Sequence, residues 1–196
     1  MPGLTFGVYS AGVKINKAAD GDTDPANDPA KLDWTTFFDN ATGTDPQLDV
    51  NDTIDLQVYG SVALDAFGVL IAKGSFRLEL GTVIEKGTNG VVDDANTTQD
   101  DTVYQKMVLT LGTAAAFDGF VAEKVEVFIG VGGELSDPNN DDNDADGSFV
   151  DDQVITSNGL GLYASLESLT LVTLKDGGAD PTVTTDDKSY MGLEIA

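Results

Sequence analysis

The chain reads as an all-β protein, an elongated curved antiparallel sheet or β-sandwich with acidic loops. Three observations carry this. Apolar residues alternate with period two in almost every ordered stretch. Clusters of Gly, Asp, Asn, Thr and Pro fall between those stretches at turn positions. No window longer than two turns holds a helical period.

The elements follow in order. Residues 3–15 carry the first strand pattern. In 32–38, Trp34, Phe37 and Phe38 end what reads as a short strand, with a short helix as the alternative. Ile54, Leu56, Val58, Val62 and Leu64 share one face of the next strand. The apolar phase moves to odd positions at Phe67, Val69 and Ile71 and returns to even ones at Phe76, Leu78 and Leu80. Such switches suggest long strands that bend and change the face they bury. Glycines inside strands (Gly60, Gly68, Gly74, Gly130, Gly132 and Gly133) mark bulges, bends or close backbone approach. Further faces are Met107, Leu109 and Leu111, then Val125, Val127, Ile129 and Val131. Leu160, Leu162, Ala164 and Leu166 follow, and Met191, Leu193 and Ile195 close the chain. The aromatics Phe37, Phe38, Phe67, Phe76, Phe117, Phe120 and Phe128 read as core and sheet-packing residues.

An internal repeat relates the two ends. A shift of 156 positions aligns Gly3, Leu4, Thr5 and Phe6 with Gly159, Leu160, Gly161 and Leu162. It also brings Val13 and Ile15 onto Leu169 and Leu171, and Asp20, Gly21, Asp24 and Pro25 onto Asp176, Gly177, Asp180 and Pro181. Each copy reads as a bent strand, an acidic loop and a return strand, the first return near 32–38 and the second at 189–195. The expected organisation is one repeat-type module, residues 1–196, with related hairpins at both ends. A final strand running straight to Ala196 is an open edge unless something pairs with it.

Charge excludes several function classes. The 34 Asp and Glu outnumber 10 Lys and Arg, and the formal charge is −24. No basic cluster exists to neutralise phosphates, so nucleic acid is not an expected partner. Anionic membranes repel such a chain, and no 18-residue apolar run is present, so membrane insertion is not expected either. Cysteine and histidine are absent, which removes thiolate chemistry and the familiar nucleophilic triads. Asp65 is the carboxylate nearest an apolar context, and a bend explains it more simply. The chain is therefore expected not to be an enzyme. Residues 1–18 lack the basic and apolar regions of a signal peptide. The options are a cytosolic protein or a segment of a longer secreted chain.

One loop stands out chemically. In 137–152, Asp142, Asp144 and Asp146 occupy positions one, three and five of a calcium-loop pattern, Gly147 the sharp-turn position and Phe149 the apolar one. The twelfth position is Gln153 instead of glutamate, so Asp151 or Asp152 must supply the last carboxylate. The alternative is a solvated acidic hairpin tip. Asp20, Asp22 and Asp24 form a second candidate without the glycine. The pairs Asp93–Asp94 and Asp100–Asp101 are weaker, and Asp45, Asp49, Asp52 and Asp55 need only cap turns. Calcium is the expected cofactor, since bound cations relieve the self-repulsion.

Three sets of segments resemble repeat units of giant bacterial extracellular or surface proteins, the repetitive adhesin or RTX-like class. They are GLTF at 3–6 and VKINK at 13–17 with LDW at 32–34, then VYGSVALDAFGV at 58–69 with SFRLELG at 75–81, and FIGVGGEL at 128–135 with SYMGLE at 189–194. The glycine–aspartate nonapeptides of true RTX rolls are absent. The resemblance implies a calcium-stabilised structural module at the cell surface or outside the cell, building a fibre, stalk or layer. Self-association through terminal strands or adjacent repeats is the expected partnership. A calcium-dependent adhesive or glycan-binding module is the alternative.

Overall fold

Strand residues dominate because the period-two segments find one another in antiparallel register. The structure, a computed structural model, describes residues 3–19, 29–37, 48–85, 102–117, 119–136, 149, 152–176 and 188–196. Among these described residues ten strands form: β1 (Leu4–Ile15), β2 (Ile54–Ala66), β3 (Leu70–Glu85), β4 (Thr102–Gly112), β5 (Val125–Val131), β6 (Glu134–Ser136), β7 (Gln153–Ile155), β8 (Leu160–Leu166), β9 (Ser168–Asp176) and β10 (Lys188–Ile195). The expected all-β class is what folds. Among the described residues no helix is long and apolar enough to cross a membrane.

Eight strands form one antiparallel sheet, ordered β1-β2-β3-β4-β9-β10, with β5 and β8 on a side branch. Pairing resolves the branch. The long strand β3 pairs along one edge with β2. Its other edge takes β4 at residues 76–85 and β5 at residues 70–73. Beyond them, β9 pairs β4 while β8 pairs β5. Strands β4 and β5 are thus one interrupted column, and β8 and β9 are the next, broken only at Glu167. At the fork, a Cβ on Gly74 would lie 2.9 Å from the Val125 Cα, so only glycine lets β5 close in.

The interruption has a purpose in packing. Between β4 and β5 the chain leaves the sheet as a 3-10 turn (Thr113–Ala115) and lies over β2 and β3. There Phe117 and Phe120 pack on Tyr59, with ring centroids 4.6 and 5.0 Å away. The two-stranded β6–β7 ribbon covers the same side, β6 touching β2 and β7 touching β3 and β5. Phe128, 2 % exposed, anchors this corner. Gly130, Gly133 and Gly159 surround its ring so closely that added Cβ atoms would fall 2.5–2.8 Å from it.

Two expectations about the first hairpin fail. Residues 34–37 are a helix, α1 (Trp34–Phe37), not a return strand. Asp33 decides this locally. Its Oδ1 accepts from the Thr35 amide at 3.0 Å and its carbonyl from the Phe37 amide at 3.0 Å, the pattern of a helix N-cap. The partner of β1 is instead β2. Asn16, almost fully buried, ties α1 down: its Nδ2 donates to the carbonyls of Leu32 and Asn51 at 2.8 Å, and its Oδ1 accepts from Trp34 Nε1 at 3.1 Å.

The phase switch at 67–71 also has a different cause. Residues 67–69 are the turn joining β2 to β3, held by the Gly68 amide donating to Asp65 Oδ1 at 2.8 Å. Phe67 and Val69 stand in this hairpin turn, and Ile71, opposite Asp65, points to the face away from Leu64 and Ala72, so even positions keep one face on both strands. Phe67 caps that turn at φ 61 and is 64 % exposed, and Phe37 is 55 % exposed. Neither belongs to the core. Phe38 lies outside the described residues.

Candidate functional site

Cross-strand partners point to the same side of a sheet, so the register sorts every side chain by face. One face collects Leu4, Phe6, Val8, Val13 and Ile15 from β1, opposite Ala66, Leu64, Val62, Val58 and Leu56. It continues through Leu70, Ala72, Phe76, Leu78 and Leu80 of β3 to Met107, Leu109 and Leu111 of β4. Leu169 and Leu171 of β9 and Met191, Leu193 and Ile195 of β10 complete the long branch. Val125, Val127, Ile129 and Val131 with their β8 partners complete the short one. Lys175, opposite Gln105 and Ser189 at one corner, is the only charged residue the register places here.

This apolar face is open. Leu160 is 80 % exposed, Leu162 79 % and Met191 75 %, and Leu4, Phe6 and Ile195 are all above 60 %. Its central residues, such as Leu78 and Leu109, are half-buried only by their neighbours. Buried strand side chains belong to the opposite face, among them Ser61, Ala63, Ile71, Lys73, Ser75 and Thr110. The covered side therefore holds the polar groups, and the apolar side has no second layer among the described residues. Sequence periodicity located these rows but expected them inside.

The covered side holds a polar cluster. Lys73 on β3 places its Nζ 3.0 Å from the Glu123 carboxylate and donates to the carbonyl of Asp152. It also lies 5.6 Å from the Tyr9 ring centroid. Tyr9 in turn donates to Glu123 Oε2 at 3.0 Å. Burial first, then the Glu123 charge, push the Tyr9 phenol far above its ordinary range. Glu123 is positioned by its own amide donating to Ser75 Oγ at 2.8 Å, and the Ser61 and Ser75 hydroxyls meet at 2.7 Å. At neutral pH this phenol stays protonated, which suits a clasp and not a general base.

Beside the cluster lies a cleft of about 640 Å3 lined by Tyr9, Ala11, Tyr59, Ser61, Phe120 and Glu123. Ser10, at its rim in the β1 bulge, has φ 51. Sequence reasoning missed the Lys73–Glu123–Tyr9 group, because three isolated residues on separate strands and loops carry no spacing signal.

The candidate metal ligands Asp142, Asp144, Asp146 and Asp151, and the second set Asp20, Asp22 and Asp24, lie outside the described residues, as do Asp93, Asp94, Asp100, Asp101 and Asp45. Asp152 is described. It is buried, with its carbonyl on Lys73. Phe149 stacks on Tyr9 at 6.4 Å and lies against Gly7, where a Cβ would fall 2.2 Å from its ring. The C-terminal end of the acidic loop is thus moored to the covered side. Asp49 and Asp55, expected only to cap turns, pair with Lys14 and Lys31, the latter at 2.7 Å. Among the described residues no group of three or more carboxylates could hold a metal ion.

No protein-family model matches the chain, and neither a curated protein nor a solved structure is similar to it.

Proposed function

We propose that the chain is a non-enzymatic structural module of an extracellular fibre, stalk or surface layer that assembles end to end. The observation supporting this reading is the state of the outer strands. β1 and β10 are the two ends of the long sheet path, and neither has a further strand beside it among the described residues. Both carry exposed apolar residues and have an outer edge without a strand partner among the described residues, the arrangement from which strands of neighbouring copies extend a sheet. Calcium in the loops of Asp142, Asp144, Asp146, Asp151 and Asp152 and of Asp20, Asp22 and Asp24 rigidifies the module and lowers its self-repulsion. The repetitive adhesin-like segments are consistent with a place outside the cell.

Electron microscopy of concentrated protein in millimolar calcium tests the proposal. Filaments or ordered sheets are the expected result, and dispersed particles at every calcium level would refute it. The cleft beside Tyr9 and Tyr59 favours a second reading, a calcium-dependent adhesive or carbohydrate-binding module, because aromatic rings next to a carboxylate suit sugar stacking and hydroxyl binding. A saccharide array separates the two.

A further inference from the structure

We infer that the open apolar face is closed by the same face of a second copy, giving a two-layer β-sandwich shared between two chains. This goes beyond assembly through strand edges, which leaves the face uncovered.

Size is the first argument. The paired strands, at about 3.3 Å per residue and about 4.8 Å per strand, span a face on the order of 1,300 Å2. Monomers rarely leave apolar patches beyond roughly 600 Å2 in water. A standard protein interface uses about 800 Å2 per partner, so one face meets the need.

The composition of the chain's remaining residues is poor in the side chains a covering layer needs. Outside the described set, the large apolar side chains are Met1, Phe38, Val91, Val92, Val150 and Val183, set among Asp, Asn, Gly and Thr. Six scattered residues cannot fill a layer opposite more than twenty apolar positions.

Charge is the third argument. At −24 per chain, two copies repel unless their contact is free of carboxylates. The register places no Asp or Glu on this face, while Glu79, Glu126, Asp176 and Glu194 all fall on the other. Only Lys175 is charged, and it sits at a corner where a two-fold axis through the centre keeps it at the rim. Two twisted sheets stacking at about 10 Å, with strands within about 30°, bury both faces at once.

Sedimentation and light scattering on the full chain between about 1 and 100 µM read the outcome. The expected mass is twice 20.5 kDa, falling to 20.5 kDa in Leu78→Lys with its strand circular dichroism retained. Should Leu78→Lys not fold, a second measurement decides. The chain has no cysteine, so Leu109→Cys carries a single spin label at the centre of the face. Dipolar coupling between labels within about 20 Å, from the 10 Å layer spacing plus two label arms, supports face-to-face packing. A single-chain mass at the highest concentration, or uncoupled labels in a larger particle, overturns it. The two readings fail separately: coupled labels without filaments refute end-to-end assembly alone, and filaments with uncoupled labels refute the shared sandwich alone.

Discussion

The Lys73 ammonium meets the Glu123 carboxylate at 3.0 Å beneath the segment that covers the sheet, and with a second contact this ammonium ties three parts of the chain together. Lys73 belongs to β3, Glu123 to the excursion between β4 and β5, and the Asp152 carbonyl on the same ammonium to the end of the acidic loop. Removing one partner leaves a buried cation without its counter-charge. Glu123→Ala is expected to lose about 3 kcal/mol, at the low end of the range for broken buried pairs because Glu123 is partly hydrated. Lys73→Met is expected to lose less, since it keeps the stem and removes the charge. Urea midpoints of the two variants check the order.

Alkaline pH reaches the same cluster. Tyr104 donates to Glu85 at 2.7 Å, and that hydrogen bond, followed by burial, pushes its phenol up to about 12 from 10.0. Tyr9 is raised further still. Both phenols ionise first in the unfolded chain, so their contribution is whole below pH 10.0 and is lost as pH rises through the folded values. Stability is expected to fall above about pH 10, and Tyr9→Phe should flatten that fall. Phenolate absorbance alongside urea unfolding at each pH measures it.

Phe128 in its glycine cradle is the largest fully buried side chain among the described residues. Phe128→Ala is expected to cost about 3–5 kcal/mol. Gly133→Ala, whose Cβ would meet Phe128 Cδ1 at 2.5 Å, should cost about 1–3 kcal/mol through overpacking. Equal melting temperatures for wild type and both variants would show the cradle to be slack.

Trp34 is the only tryptophan, so its emission reports on one place. Asn16→Ala strips two carbonyls and the indole N–H of their partner. The expected cost is about 1–3 kcal/mol with a red-shifted Trp34 spectrum. An unshifted spectrum would mean that α1 stays docked without Asn16.

Millimolar calcium is expected to raise the melting temperature, and chelator to reverse it. An ion at a hundredfold excess over its Kd contributes about 2.7 kcal/mol. Replacing Asp142, Asp144 and Asp146 together by asparagine should abolish the rise. Calorimetry with and without calcium decides, and a rise that survives the triple replacement removes these residues from the site.

Much of the sheet was legible because a strand's side chains alternate, and alternation survives in the linear order. The rows at 54–64, 76–80, 107–111, 125–131, 160–166 and 191–195 all became strands. The aligned ends behave differently: 4–15 is one bulged strand, while 160–176 breaks at Glu167 to serve both branches. The misreading at 32–38 has a local cause: two aromatics three apart share a helix face but fall on opposite faces of a strand, and the Asp33 cap fixes the helix.

Strand identity, loop acidity and the segregation of carboxylates from one apolar row were written in the residue order, because each depends on neighbours along the chain. Which face is covered was not. That depended on where the β4–β5 excursion and the β6–β7 ribbon came to rest, and they settled on the side carrying Lys73, Ser61 and Ser75. A period of two tells which side chains share a face, but only contacts between distant segments choose the face that water reaches.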